Sequence, residues 1–374
     1  MKKIKVLQIN KLYYPNIGGI ERTVQHIAEG LKNTVEMSVL VCQPVGRGVK
    51  ESINGVLVQR CGSFGTLFSL PISISFIWEL RKRAKEQDIL QFHSPFPLGD
   101  LALLLSGYSG KVVLYWHSDI VKQKKMMVIY RPIMESFLRR ADAIIVGAEG
   151  VIKGSSYLKP YQNKCVTIPF AVNTKIEQAG KKYLDQAKPN LNQYVKFLFV
   201  GRLVYYKGVD LLLKAFATVK NAELTIVGSG DLERSLKVYV KDCKMSERVH
   251  FLGKVEEERL YQAFSECDVF VLPSVARSEA FGLVQLEAMA YGKPVINTNL
   301  PSGVPEVSIN GITGLTVEPG NWKELSNAMQ WLVDHPHERR EMGVAARERL
   351  ESNYTMTVMM NKIMELYQRL LKEG

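Results

Sequence analysis

Cysteine is scarce: five in 374 residues (Cys42, Cys61, Cys165, Cys243, Cys267), odd in number, scattered and without a Cys-x-x-Cys pair. That argues against a disulfide scaffold or a cysteine-built zinc site and fits a reducing cytoplasm. No apolar run reaches the ~18 residues of a membrane-spanning helix. The opening MKKIKVLQIN alternates like a first β-strand and has no continuous signal-peptide core. Although the chain is basic, it has no zinc finger, RNA-binding aromatic signature or basic-zipper heptad, so no nucleic-acid partner is expected. Gly228-Ser229-Gly230 lacks the third glycine of a dinucleotide fingerprint, and the next strand candidate, VHFLGK, ends without an acidic residue. An NAD role is therefore not expected.

What is present is ordinary globular material, 46% apolar and 23% charged, long enough for two hydrophobic cores. The formal charge is +12, and all of that excess lies in residues 1–185, residues 186–374 being balanced. Such asymmetry suggests that one half meets an anionic surface or a phosphate-bearing substrate. Short β-branched runs alternate with helical stretches, the pattern of βαβ units and parallel sheets. The first series of strands runs from Ile4–Ile9 to Val166–Pro169, and the second from Lys196–Val200 to Gly314–Val317. The polar stretch Lys175–Tyr194 reads as a linker. The expectation is an α/β chain of two doubly wound, Rossmann-like domains, 1–185 and 186–354, facing each other across a cleft. Ligands of open α/β sheets sit beyond the carboxyl ends of the strands.

Four segments carry chemistry. Gly18 and Gly19 follow the first strand and open a helix, where bare backbone and a helix N-terminus suit a phosphate. In VKFLFVGRLVYYKG, Arg202 and Lys207 follow the first strand of the second half and form a candidate diphosphate clamp. Each charge-assisted hydrogen bond there would be worth roughly 1.5–3 kcal/mol. SEAFGLVQLEAMAYGKPVI places Glu279 ahead of a helix and Glu287 within it, and the amides of Phe281, Gly282 and Leu283 between them suit phosphate oxygens. A carboxylate such as Glu287 is the natural acceptor for two adjacent sugar hydroxyls. VVLYWHSDI ends a buried strand at His117, and His93 follows a strand in a similar way as a weaker candidate.

Taken with IVGSGDLE, SGVPE and NGITGL, these segments resemble the retaining glycosyltransferases of family 4, which have the GT-B fold and include α-mannosyl- and α-glucosyltransferases of bacterial polysaccharide and glycolipid assembly. The WHSDIVKQKK stretch is similar to a mannosyltransferase-like subgroup of O-antigen synthesis. By that resemblance, Arg202 and Lys207 bind the donor diphosphate, with Gly18 and Gly19 approaching it from the N-terminal domain. Glu279 holds hydroxyls of the donor sugar, the amides of Phe281 to Leu283 assist, and Glu287 takes the ribose. His117 supports charge on the transferred ring. The N-terminal domain binds the acceptor, and the final helix, within 355–374, returns to pack on it. The donor is GDP-mannose or a UDP-sugar, the acceptor a glycan, lipid-linked in the favoured reading, and no metal or other cofactor is expected. No Asp-x-Asp pair occurs anywhere in the chain.

Two other readings stay open at this point: a nucleotide-sugar epimerase of the same shape, and a non-catalytic nucleotide-sugar-binding subunit. A peripheral contact with an anionic inner-membrane surface is a further expectation. It rests on the basic N-terminal half and on FGTLFSLPISISFIWELRKRAKE, where Phe64, Phe68, Phe76 and Trp78 precede Arg81, Lys82, Arg83 and Lys85. Lys122, Lys124 and Lys125 would meet an acceptor pyrophosphate.

Overall fold

The computed structural model describes residues 3–16, 18–67, 70–119, 124–186 and 194–373. The chain divides into two compact units, Met1–Pro169 with Met359–Gly374, and Phe170–Val358. The division falls at Pro169/Phe170 where the sequence suggested 185/186, because most of the expected linker is a helix, Thr174–Gln186. That helix belongs to the second unit. Gly180 lies so close to the backbone of Ala290 that a Cβ there would fall 2.2 Å from its carbonyl oxygen. Lys293 Nζ also donates to Tyr183 Oη at 3.1 Å. The buried Ile176 and Gly180 form a narrow inward stripe on an otherwise polar helix, which composition alone does not reveal.

The first unit holds β1 (Lys5–Ile9), β2 (Glu36–Cys42), β3 (Val49–Ile53), β4 (Val56–Cys61), β5 (Thr66–Leu67), β6 (Leu70–Pro71), β7 (Ile89–Ser94), β8 (Lys111–Trp116), β9 (Ala143–Val146) and β10 (Cys165–Thr167). Eight of these form one sheet in the order β10-β9-β8-β7-β1-β2-β4-β3, while β5 and β6 pair separately. Every pairing in the large sheet is parallel except β3 with β4. The central strands are buried on both faces; β8 and β9 read as continuous apolar runs, as a covered parallel sheet requires, while β7, ILQFHS, buries polar side chains as well. The edge strand β3, VKESI, is largely exposed and carries no apolar run.

One face of this sheet presents Leu7, Leu40, Phe92, Leu114 and Ile144 to Phe76, Leu103 and Phe137 on the overlying helices. The other face is different. It carries Gln8, Gln91, His93 and Tyr115, all fully buried, and Tyr367 of the final helix, Met356–Lys372, hydrogen bonds to both glutamines. Met360 of that helix rests against Gly30, where a Cβ would fall 2.7 Å from its sulfur.

The second unit is a parallel sheet of β11 (Val195–Val200), β12 (Ala222–Val227), β13 (Val249–Gly253), β14 (Val269–Val271), β15 (Val295–Thr298) and β16 (Gly314–Val317), in the order β13-β12-β11-β14-β15-β16. Strand order reverses between β11 and β14 here, and between β1 and β7 in the first unit. Beyond the carboxyl ends at such reversals, doubly wound sheets leave a crevice for ligands.

Candidate active site

The loops that leave β11 and β14 are stitched together at the reversal of the second unit. Val275 N donates to Tyr206 O at 2.8 Å. Gly208, with φ of +65°, lies where a Cβ would fall 2.2 Å from Pro273 O. This backbone contact requires glycine and holds Lys207 inward at the end of a short 3-10 turn, Tyr205–Lys207. The Lys207 ammonium forms an ion pair with the Glu279 carboxylate, and both residues are buried. Ser274 Oγ donates to the same Glu279 oxygen at 3.2 Å. A buried pair of this kind is costly to desolvate and is held here by an added hydrogen bond, so removing one partner alone strands the other.

Arg202 comes from the same loop but is exposed, with Nη2 donating to Tyr206 Oη at 3.0 Å. Lys207 Nζ sits 5.8 Å from the Tyr206 ring centroid, so the phenol stands beside both cations. Phe281 is buried, packed edge-on against Phe170 at 5.1 Å. Gly282 turns the chain with φ of +71°, over Leu272 and Gln285. Leu283 is exposed, and the helix Val284–Ala290 follows it. Gln285 anchors this corner: its Nε2 donates to Phe281 O and Val304 O, while its Oε1 accepts from Asn297. Glu287 is half-buried on that helix, and its charge, after burial and Glu257, helps push up the Tyr261 phenol. Lys207, Glu279 and Arg202, through Tyr206, thus form one cluster, whereas the charge of Glu287 is felt at Tyr261 and Tyr291.

The discounted Gly228-Ser229-Gly230 proves to be a packing device. A Cβ on Gly228, with φ of +126°, would fall 1.9 Å from Gly201 O, and one on Gly230 would fall 2.5 Å from Leu203 O. These glycines let the β12 turn press against the β11 turn that carries Arg202.

In the first unit, Gly18 caps the helix Gly19–Leu31 with an extended backbone. A Cβ there would fall 2.1 Å from Glu21 Oε2, while nothing lies within 4 Å of one at Gly19. The helix's own carboxylate therefore fills the space above Gly18, and the open approach is at Gly19. His117 follows β8 and is buried, with Nε2 2.9 Å from His93 Nδ1; His93 Nε2 lies 2.7 Å from Gln8 Oε1. The rings of His93, Tyr115 and His117 stack, with Tyr115 and His117 at 4.7 Å. Burial lowers the His117 imidazole to about 3 and drives that of His93 well below the ordinary range. Both are neutral at physiological pH. His93 is an integral member of this network, and Gln8, Gln91 and Tyr367 join it although no sequence motif marks them. Residues 120–123, with Lys122, lie outside the described residues, as do the side chains of Lys124 and Lys125.

Two models of known families cover the chain: "Glycosyl transferases group 1" over residues 182–349, and "Glycosyltransferase Family 4" over residues 17–175. It is 32% identical to the D-rhamnosyltransferase WbpZ of Pseudomonas aeruginosa over 94% of this chain and 92% of that one. It is also 30% identical to the O-antigen chain mannosyltransferase C of Escherichia coli over 99% of each. The chain belongs to glycosyltransferase family 4. The two Rossmann-like units of this glycosyltransferase have the GT-B fold. The structure of Anabaena Alr3699/HepE in complex with UDP matches 98% of the chain and all of that one, with a TM-score of 0.76 at 18% identity. Among the described residues of the transferase, no three His, Cys, Asp or Glu side chains come together as a metal site, and no helix is long and apolar enough to cross a membrane.

Proposed function

We propose that this glycosyltransferase moves a hexose, mannose first, from a nucleotide-diphosphate sugar to a glycan acceptor of a bacterial surface polysaccharide such as an O-antigen, with retention at the anomeric carbon. The observation that carries the donor side is the buried Lys207–Glu279 pair at the strand-order reversal, beside Arg202 and Tyr206. Without donor, the ammonium and carboxylate satisfy each other. A donor diphosphate supplies a second anion for Lys207 and recruits Arg202. Glu279 is thereby freed to accept hydrogen bonds from hydroxyls of the sugar, and Glu287 and the amides of Phe281 to Leu283 take the ribose and phosphate. As the glycosidic bond to the diphosphate breaks, charge grows on the leaving oxygen, and cations already in place stabilise it without reorganisation. The departing phosphate then accepts the acceptor's proton on the same face of the sugar, which accounts for retention without a covalent enzyme nucleophile and assigns no role to a divalent metal. GDP-mannose is the first donor by likeness to the mannosyl- and rhamnosyltransferase relatives, a UDP-sugar the second.

A lipid-linked acceptor fits a peripheral position on an anionic membrane. Phe64, Ile72, Ile74 and Trp78 are exposed, Arg81 and Lys82 stand exposed on the helix that carries Trp78, and Lys85 stands exposed just past its end. The aromatic run is narrower than the sequence suggested. Phe76 points into the core against Phe96, Arg83 pairs with Glu79, and Phe68 lies outside the described residues. Transfer from GDP-mannose to a lipid-linked glycan, with an α-linked product in the NMR spectrum, tests the reaction and its stereochemistry together. A β-linked product, or epimerised donor without transfer, would overturn the proposal.

A further inference from the structure

The buried polar row of the first unit has a direction. Gln8 Oε1 is an acceptor only, so the 2.7 Å contact puts the His93 proton on Nε2 and leaves Nδ1 with its lone pair. The 2.9 Å contact between His93 Nδ1 and His117 Nε2 then requires His117 to donate from Nε2. Behind Gln8, its Nε2 donates to Tyr367 Oη at 3.3 Å, and Tyr367 Oη donates to Gln91 Oε1 at 2.6 Å. Each proton in this chain points away from His117. Gln8 and Gln91 face each other across β1 and β7, the pair at which strand order reverses, and His93 lies two residues further along β7 on the same face. The row therefore runs from beneath the final helix to the carboxyl end of the sheet, where His117 sits. Gln8, Gln91, His93 and Tyr367 are wholly buried, so no solvent competes for these hydrogen bonds.

From this geometry we infer that Tyr367, Gln8 and His93 are positioning residues that fix His117 as the Nε2–H tautomer, with the lone pair kept on Nδ1. His117 is then an acceptor at Nδ1 and cannot donate there. The catalytic consequence rests on the proposed function, whereas the tautomer itself does not. Placing Tyr367 on the final helix means that this helix, remote in sequence, takes part in tuning a residue that follows β8. A neutral imidazole is sensitive to the group behind it, because the hydrogen bond at one ring nitrogen decides the state of the other.

The test is nitrogen NMR of histidine-labelled protein without donor, which reads the protonated ring nitrogen of His117 directly. Wild type should show His117 protonated on Nε2. Tyr367→Phe, which keeps the ring and removes the hydroxyl, should give a mixture of tautomers. It should also lower kcat about tenfold, the scale of one lost net hydrogen bond, at nearly unchanged donor KM. Gln8→Met, as a second variant of similar shape, should do the same. Protonation of wild-type His117 on Nδ1 would overturn the inference without any variant, as would Tyr367→Phe and Gln8→Met proteins with wild-type spectra. The expected tautomer in a protein that transfers no sugar would uphold the relay and refute the proposed function.

Discussion

At the scale of single residues, buried ionisable groups set how stability responds to substitution and to pH. Lys207 and Glu279 hold each other, and removing one strands the other at a cost of about 3–5 kcal/mol. Lys207→Ala should therefore lower Tm clearly, whereas Arg202→Ala, at an exposed cation, should leave Tm near wild type. Both, and Glu279→Ala, should lower turnover by on the order of 10²–10³ if they act where charge develops. Thermal denaturation beside steady-state kinetics separates the two effects. Two buried groups set opposing pH dependences. The unfolded chain protonates His117 below its ordinary value of 6.5, while the fold resists until about 3; stability present above 6.5 is lost as pH falls through that window. Asp100 behaves in the opposite sense. Burial raises it from 3.8 to about 7, against the hydrogen bond from Tyr130, so its favourable contribution is lost as pH rises through that window. Asp100→Asn should raise Tm relative to wild type above pH 7, with a smaller gain at pH 5 and none below pH 3.8. An equal gain at all three would refute the assignment.

Among the elements, strand positions were legible where a covered parallel sheet is rich in apolar residues, as in β8 (KVVLYW), β9 (AIIV) and β11 (VKFLFV). What escaped had no such signal. β3 is a polar edge strand, Thr174–Gln186 hides its buried stripe in a polar composition, and Pro97–Ser106 is too uniformly apolar to show helical periodicity. The proposed donor-side residues stood out because Arg202 and Lys207 lie in the loop after β11 and Glu279 in the loop after β14, at the strand-order reversal. The histidine network was legible only at His117 and His93. Gln8, Gln91 and Tyr367 are joined by tertiary pairing across hundreds of residues, and no spacing rule marks that. The loop carrying Lys207 depends on Gly208, whose left-handed backbone and approach to Pro273 leave no room for a side chain. Gly208→Ala should destabilise the second unit by more than the ~1 kcal/mol of an ordinary glycine-to-alanine change and should weaken nucleotide binding. Calorimetric titration of the folded variant checks this.

For the molecule as a whole, the +12 charge lies in the half that carries Trp78 and its basic helix, while the half that holds the donor cluster is balanced. In the proposed reaction, diphosphate binding thus depends on a few placed cations more than on a general field, and the positive field is available to an anionic surface. Vesicle flotation should show binding that rises with anionic lipid and weakens with salt, and the triple change Arg81→Glu, Lys82→Glu, Lys85→Glu should abolish it without altering nucleotide affinity. Absence of flotation would rule out a membrane contact, and flotation independent of lipid charge would rule out its electrostatic basis. The proposed reaction needs the second unit to grip a nucleoside diphosphate through Arg202 and Lys207. Titrating GDP and UDP into the wild-type protein and into folded Arg202→Ala and Lys207→Ala tests it most directly. Saturable wild-type binding, weakened about tenfold or more in each variant, is the predicted result; affinities indifferent to both changes would contradict it.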